Sequence, residues 1–148
     1  HCDSRRQRQM CIRDRNISCP NLDTHEDTTS FEGFDKFPGH MRNKWCIVKI
    51  PPTASEKLVD KIVDCGYNTI HASNTLPTEL GGLSGKVLVP YTTRLIQYIK
   101  SKHPHVQIIA GGGVKNKSDA EQYLEAGADH ISLGTVCFTP WKVKSILK

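Results

Sequence analysis

The sequence has no apolar run long enough to cross a membrane, no Cys-x-x-Cys pair and no internal repeat. A membrane helix needs about 18 or more consecutive apolar residues, so the sequence predicts no membrane partner. The missing cysteine pairs argue against zinc and iron–sulfur sites of the usual spacing. What is present, 37% hydrophobic and 24% charged residues over 148 positions, is typical of one globular domain, which we expect to be cytoplasmic.

The excess positive charge is concentrated at the amino terminus. Residues 1–15 hold five arginines and two aspartates, which accounts for +3 of the total net charge of +5. The segment RRQRQMCIRD (residues 5–14) has neither helical nor strand periodicity, and it resembles a translated transposase sequencing adapter over ten consecutive codons. We therefore interpret residues 1–15 as a non-native, adapter-derived extension and not as a nucleic-acid arm. We expect the native protein to continue upstream of Asn16 and to bind no nucleic acid.

From residue 45 onward, strand and helix patterns alternate. Short apolar runs predict strands at 45–50, 68–73, 106–110 and 129–134. Apolar residues spaced three to four apart predict helices at 55–66, 91–104, 117–128 and 139–148. Such alternation predicts an α/β fold with a parallel sheet. A fifth strand is expected before Asn16, and residues 16–44 and 74–89 are predicted to be mainly loop.

Parallel β/α units form either an eight-stranded barrel or an open, doubly wound sheet. Each glycine-rich or polar cluster here follows a predicted strand, and in a barrel these clusters would meet at the carboxyl edge, where active sites are built. Glycine clusters after the last two strands are typical of a phosphate site. We predict that residues 16–148 are a partial barrel, the C-terminal half of a (β/α)8 TIM barrel containing about strands five to eight.

Six motifs carry a more specific resemblance: NISCPN, VKIPP, SNT, GGLSG, GGGV and LGT, in that order. Residues 16–148 are similar to the C-terminal half of the dihydroorotate dehydrogenase family, in its FMN-dependent, soluble type with a cysteine base. The resemblance implies oxidation of dihydroorotate to orotate in pyrimidine biosynthesis, with FMN as the cofactor. It is also compatible with a homodimer of the full-length protein. As a fragment, the chain is expected to be inactive alone.

The resemblance implies a role for each motif residue. Cys19 would be the catalytic base that removes a proton from C5 of dihydroorotate. The implied substrate-binding residues are Asn16, Asn21, Asn74 and Thr75. The implied FMN-binding residues are Asn16, Lys49, Ser73, Gly85, Gly112, Gly113, Gly134 and Thr135. The chain departs from the family in a short segment between Asn21 and Trp45, and in GGG replacing a more usual mixed glycine pattern.

Other interpretations remain open at this point. The residue pattern alone leaves Cys19 as a disulfide partner, a metal ligand, a buried thiol or a reactive group. His25, Glu26, Asp27 and His40 do not have the spacing of a metal site, so no metal is expected. Alternative functions are tRNA-dihydrouridine synthase, which has glycine in place of Ser18, a dihydropyrimidine dehydrogenase-like flavin barrel, and an inactive phosphate-binding half-barrel.

Overall fold

The computed structural model describes residues 12–16, 45–79 and 81–147. Its strands are β1 (Ile12–Asn16), β2 (Trp45–Ile50), β3 (Thr69–Ala72), β4 (Leu76–Thr78), β5 (Gly81–Leu83), β6 (Gln107–Gly111) and β7 (His130–Ser132). The main sheet has the order β1-β2-β3-β6-β7, and all its neighbouring strands are parallel. The predicted parallel α/β sheet is therefore confirmed.

Each predicted strand after residue 45 is followed by a helix. The helices are α1 (Glu56–Asp64), α2 (Val89–Lys102), α3 (Lys117–Glu125) and α4 (Pro140–Ile146). Side-chain caps define where two of them begin. Ser55 Oγ accepts a hydrogen bond from Leu58 N at 3.2 Å, and Asn116 Oδ1 accepts one from Asp119 N at 2.9 Å. These caps satisfy backbone donors that have no partner within the helix.

The core lies between the sheet and the helices. The core is formed by alternate strand residues, such as Val48, Ile50, Ile70 and Ala72, and by the α2 residues Leu95, Ile96 and Ile99. Lys49 and His71 occupy the intervening positions, so they belong to the opposite face of the sheet from this core. The alternation therefore places polar side chains on the face that would point into a barrel.

Two predicted element boundaries need correction. Residues 74–89 are not simply loop, because β4 and β5 form an antiparallel hairpin. Helix α2 begins at Val89 and not at residue 91, since Pro90 is tolerated in a first turn. Residues 12–15 belong to β1, which is the strand expected before Asn16, and the domain boundary at residue 16 stays a prediction. Strand pairing uses main-chain groups, which every one of these residues supplies. The adapter origin of residues 1–15 stays a prediction.

Several predicted positions fall outside the described residues. They are Cys19, Asn21, and the acidic and histidine positions His25, Glu26, Asp27 and His40. Of Asn16, only the backbone position at the end of β1 is described. Within the described ranges, no helix is both long and apolar enough to cross a membrane.

A network of charged side chains joins α1 to α2 on the outer surface. Asp60 accepts hydrogen bonds from Lys102 Nζ at 2.6 Å, from Tyr98 Oη at 2.9 Å and from His103 Nε2 at 2.7 Å. The hydrogen bond from Lys102, followed by that from His103, lowers the pKa of Asp60 from 3.8 to about 2. Both oxygens of the carboxylate are engaged, so the network stabilises the contact between the two helices.

We expect Asp60→Asn to lower the free energy of unfolding by about 1 kcal/mol at pH 7, at the upper end for a partly exposed ion pair. Because the folded-state pKa is depressed, the contribution is fully present above pH 4 and disappears as the pH falls toward 2. Urea denaturation at several pH values measures the difference. The matched control is Asp64→Asn on the same helix, and equal losses in both variants would contradict the prediction.

Candidate active site

A cavity of about 300 Å³ lies at the carboxyl edge of the main sheet. Its walls come from the end of β2, the segment after β3, the turn after β5, and the loops that follow β6 and β7. We call it the carboxyl-edge cavity, and its lining residues are Lys49, His71, Ser73, Asn74, Thr75, Ser84, Gly85, Leu88, Gly111, Gly112, Gly113, Val114, Lys115, Ser132, Gly134 and Thr135. The volume is at the lower end of the range for small-ligand sites.

Nine residues predicted from the sequence line this cavity together. They are Lys49, Ser73, Asn74, Thr75, Gly85, Gly112, Gly113, Gly134 and Thr135. Asn16 is their neighbour in the sheet, because its Cα pairs with that of Lys49 in the β1–β2 register. The structure thus brings together residues that are up to 119 positions apart in the sequence, while their individual roles stay predictions.

A buried chain of hydrogen bonds fixes the segment after β3. Thr92 Oγ1 donates to the Gly111 carbonyl at 3.2 Å, and Ser73 Oγ lies 2.9 Å from Thr92 Oγ1. Because the threonine hydroxyl has one proton and gives it to Gly111, Ser73 must donate to Thr92. The lone pairs of Ser73 Oγ are then its remaining hydrogen-bonding capacity, so Ser73 can act there only as an acceptor.

Asn74 and Thr75 are also held in place, each through its backbone N–H group. Asn74 N donates to the Ile50 carbonyl at 3.0 Å, which ties the segment to the end of β2. Thr75 N donates to Asn74 Oδ1 at 2.9 Å. This local bond uses the carbonyl end of the amide, so Asn74 is oriented before any ligand arrives.

Two glycine loops pack against each other at the other side of the cavity. Gly113 has φ +80°, and a Cβ built there would lie 2.8 Å from the Gly85 carbonyl oxygen. Gly112 has φ +94°, and its Cβ would lie 2.8 Å from Leu88 Cδ1. A side chain at Gly113 would therefore meet main chain, which cannot move aside as a flexible side chain can. The absence of side chains lets the two loops approach.

Helix α3 holds the glycine loop from outside. Tyr123, which is 1% exposed, donates its hydroxyl proton to the Gly112 carbonyl at 2.7 Å. Burial raises the pKa of Tyr123, so the hydroxyl keeps its proton over the physiological range. Lys115 N donates to Asp119 Oδ2 at 2.9 Å at the start of α3. These two hydrogen bonds from α3 fix the conformation of the glycine loop after β6.

The charge of the cavity favours an anion. Its described lining contains two lysines, Lys49 and Lys115, and no carboxylate. Thr135 and Val136 begin the 3-10 helix Thr135–Phe138, so their N–H groups have no acceptor within that helix. Backbone donors at a helix start, beside glycines that leave room for close approach, suit a phosphate. The two lysines, the main-chain donors and the glycines are the groups that a phosphate-bearing cofactor requires.

Sequence reasoning missed several lining residues, notably His71, Gly111 and Ser132. The available signal was the two-residue period of β3 and β7. His71 pairs in register with Lys49, and Ser132 pairs with Gly111, so each shares a face with a neighbouring cavity residue. The strands at 68–73 and 129–134 were predicted as elements, without an assignment of which side chains face the cavity.

A family model for dihydroorotate dehydrogenase matches residues 7–148, nearly the whole chain. The chain belongs to the dihydroorotate dehydrogenase family. The match continues through the glycine loops that form the carboxyl-edge cavity. The family assignment predicted from the six motifs is therefore confirmed.

Curated dihydroorotate dehydrogenases resemble the chain over different lengths. The catalytic subunit of dihydroorotate dehydrogenase B (NAD(+)) from Desulforamulus reducens is 27% identical, over 90% of this chain and 51% of its own length. Dihydroorotate dehydrogenase (quinone) from Dichelobacter nodosus is 33% identical, over 69% of this chain and 35% of its own. The chain thus spans about half, or less, of the length of these relatives.

The fold of the chain is also similar to that of a solved dihydroorotate dehydrogenase. The ligand-free enzyme from Eimeria tenella superimposes with a TM-score of 0.70 at 22% identity, and the match covers 92% of this chain and 49% of the enzyme. This likeness confirms the barrel-type fold. Five parallel strands over half the length of that enzyme agree with a partial barrel.

Proposed function

We propose that this chain supplies the C-terminal half of an FMN-dependent barrel that oxidises dihydroorotate to orotate in pyrimidine biosynthesis. The observation that carries the proposal is that nine residues from the family's motifs line one cavity at the carboxyl edge of the sheet. The family match over residues 7–148 supports the same reaction class.

Seven of these nine residues would hold FMN: Lys49, Ser73, Gly85, Gly112, Gly113, Gly134 and Thr135. The glycine loops and the start of the 3-10 helix offer main-chain donors to the phosphate, as argued above. Lys49 would place positive charge near the ring, with Asn16 beside it in the sheet. When bound, FMN would accept the two electrons and the hydrogen that leave C6 of the substrate.

The substrate would be held by amide and hydroxyl groups from Asn16, Asn21, Asn74 and Thr75. An amide offers both a donor and an acceptor, which suits a pyrimidine ring that carries both kinds of group. Asn74 is already fixed by Thr75 N, so its binding geometry costs little side-chain entropy. This ordering supports a role in orienting the ring.

Cys19 would act as the base. It follows the end of β1 by three residues, within the polar motif NISCPN. A thiol has an ordinary pKa of about 8.5, so modest stabilisation of the thiolate is enough for it to accept a proton near neutral pH. The C5 proton moves to the sulfur, and the double bond forms between C5 and C6.

The protein to test is a complete barrel that contains this chain. It is obtained by recovering the upstream coding sequence, or by joining residues 12–148 to the amino-terminal half of the Desulforamulus reducens relative. We expect it to bind FMN without a covalent bond and to release it on acid treatment. Absorbance of the released flavin and dihydroorotate-dependent bleaching of the bound flavin measure both properties.

The control is the 148-residue chain assayed alone, which we expect to be inactive. Five described strands do not close a barrel of eight, and among the described residues β1 and β7 have no strand on their outer sides. A complete barrel that ignores added FMN would overturn the proposal. If the bound flavin of the barrel bleached with dihydrouracil but not with dihydroorotate, the proposed cofactor would stand and the proposed substrate would be wrong.

A further inference from the structure

His71 lies in the carboxyl-edge cavity, although none of the roles above uses it. It belongs to β3, where it is half-buried between the fully buried neighbours Ile70 and Ala72. Its Cα pairs with Lys49 on one side and with Ile109 on the other. The imidazole is thus a polar, titratable group on the same face as the cavity lysine.

The position of the His71 imidazole also explains why residue 111 is a glycine. Gly111 does not have a positive φ, so its backbone does not require glycine. A Cβ built there would lie 3.1 Å from His71 Nε2 and 3.1 Å from Ser132 Cβ. The ring of His71 therefore occupies the space that a side chain at position 111 would fill. The first glycine of GGG makes room for a ring nitrogen at the cavity wall.

We propose that His71 is a further ligand-binding residue of this site, whose imidazole Nε2 contacts the flavin ring beside Lys49. The inference rests on the proposed function, because it takes FMN as the occupant. An imidazole nitrogen donates or accepts one hydrogen bond, and the flavin ring carries both kinds of group at its pyrimidine edge. Ile70 and Ala72 on either side are apolar and fully buried in the core, whereas His71 is polar and lines the cavity.

The test separates packing from polar contact, using the complete barrel and FMN titrated by fluorescence. We expect His71→Leu, which keeps an apolar side chain over Gly111, to raise the FMN dissociation constant about 10-fold, the loss of one hydrogen bond. His71→Gln retains a polar end and should raise it less than threefold. The double variant His71→Ala/Gly111→Ala places a methyl group at position 111 in the space that the imidazole occupied. Its FMN affinity should be as weak as that of His71→Leu.

His105→Ala is the matched control, since this histidine is exposed on the surface beside His103 and lies outside the cavity. Its FMN affinity and thermal melt should equal those of the wild type. Wild-type affinity in His71→Leu or in the double variant would overturn the inference and leave the proposed function standing. Failure of the wild-type barrel to bind FMN would overturn both.

Discussion

Cys19→Ala in the complete barrel is expected to lower the rate of dihydroorotate oxidation by about 10²- to 10⁴-fold, the usual contribution of a positioned acid–base group. The substitution removes the proton acceptor and leaves the carboxyl-edge cavity unchanged in sequence. FMN binding should therefore stay at the wild-type value. Stopped-flow bleaching of the bound flavin by dihydroorotate measures the chemical step directly.

Two other variants sharpen this test. Cys19→Ser should retain part of the activity with its optimum at higher pH, because a hydroxyl is a weaker base than a thiol. Cys137→Ala is the control for loss of a thiol, since Cys137 is exposed and free of disulfide bonds. If Cys19→Ala turned over at the wild-type rate, the thiol would have no place in the mechanism.

Gly113→Ala is expected to reduce the free energy of unfolding by about 2–4 kcal/mol and to abolish tight FMN binding. About half of this loss comes from the left-handed backbone at φ +80°. The rest comes from a Cβ 2.8 Å from the Gly85 carbonyl oxygen, which forces the two glycine loops apart. Urea denaturation and an FMN titration of the complete barrel measure the two effects.

Gly81→Ala separates the two contributions. Gly81 also has a positive φ, +117°, yet a Cβ there meets nothing within 4 Å, and the residue does not line the cavity. The variant should lose only about 1–2 kcal/mol, through backbone strain, and keep wild-type FMN affinity. Equal destabilisation of both variants would show that the contact between Gly113 and Gly85 does not constrain the loops.

Periodicity predicted the elements that carry a core, and it missed those held mainly by main-chain bonds. The apolar spacing of Leu58, Val59 and Ile62 identified α1, and all three are buried. The β4–β5 hairpin contains two glycines and a proline, so its side chains gave no strand signal. Strand β1 was expected before Asn16 from the alternation of strands and helices alone, because its five residues include two arginines and an aspartate and give no apolar signal of their own.

The residues of the site were likewise predicted only in part from the sequence. Motif residues such as Ser73 and Gly113 were predicted because their order along the chain resembles the family's. His71 and Ser132 were missed because they sit inside strands, where facing direction decides whether a residue meets the core or the cavity. That direction depends on register, which pairs Lys49 with His71 and Gly111 with Ser132. Register is a tertiary property that local composition does not carry.

The strand order of the main sheet bears on how the chain acquires its structure. Each strand of this sheet lies beside the strand that precedes it along the sequence, apart from the intervening β4–β5 hairpin. During synthesis, each new β/α unit of these five can therefore pair with a strand that has already been synthesised. None of these strands needs a later, non-adjacent strand before it can pair. Such local pairing keeps loop-closure entropy low at each step. Assembly of these five strands can thus proceed in the direction of synthesis.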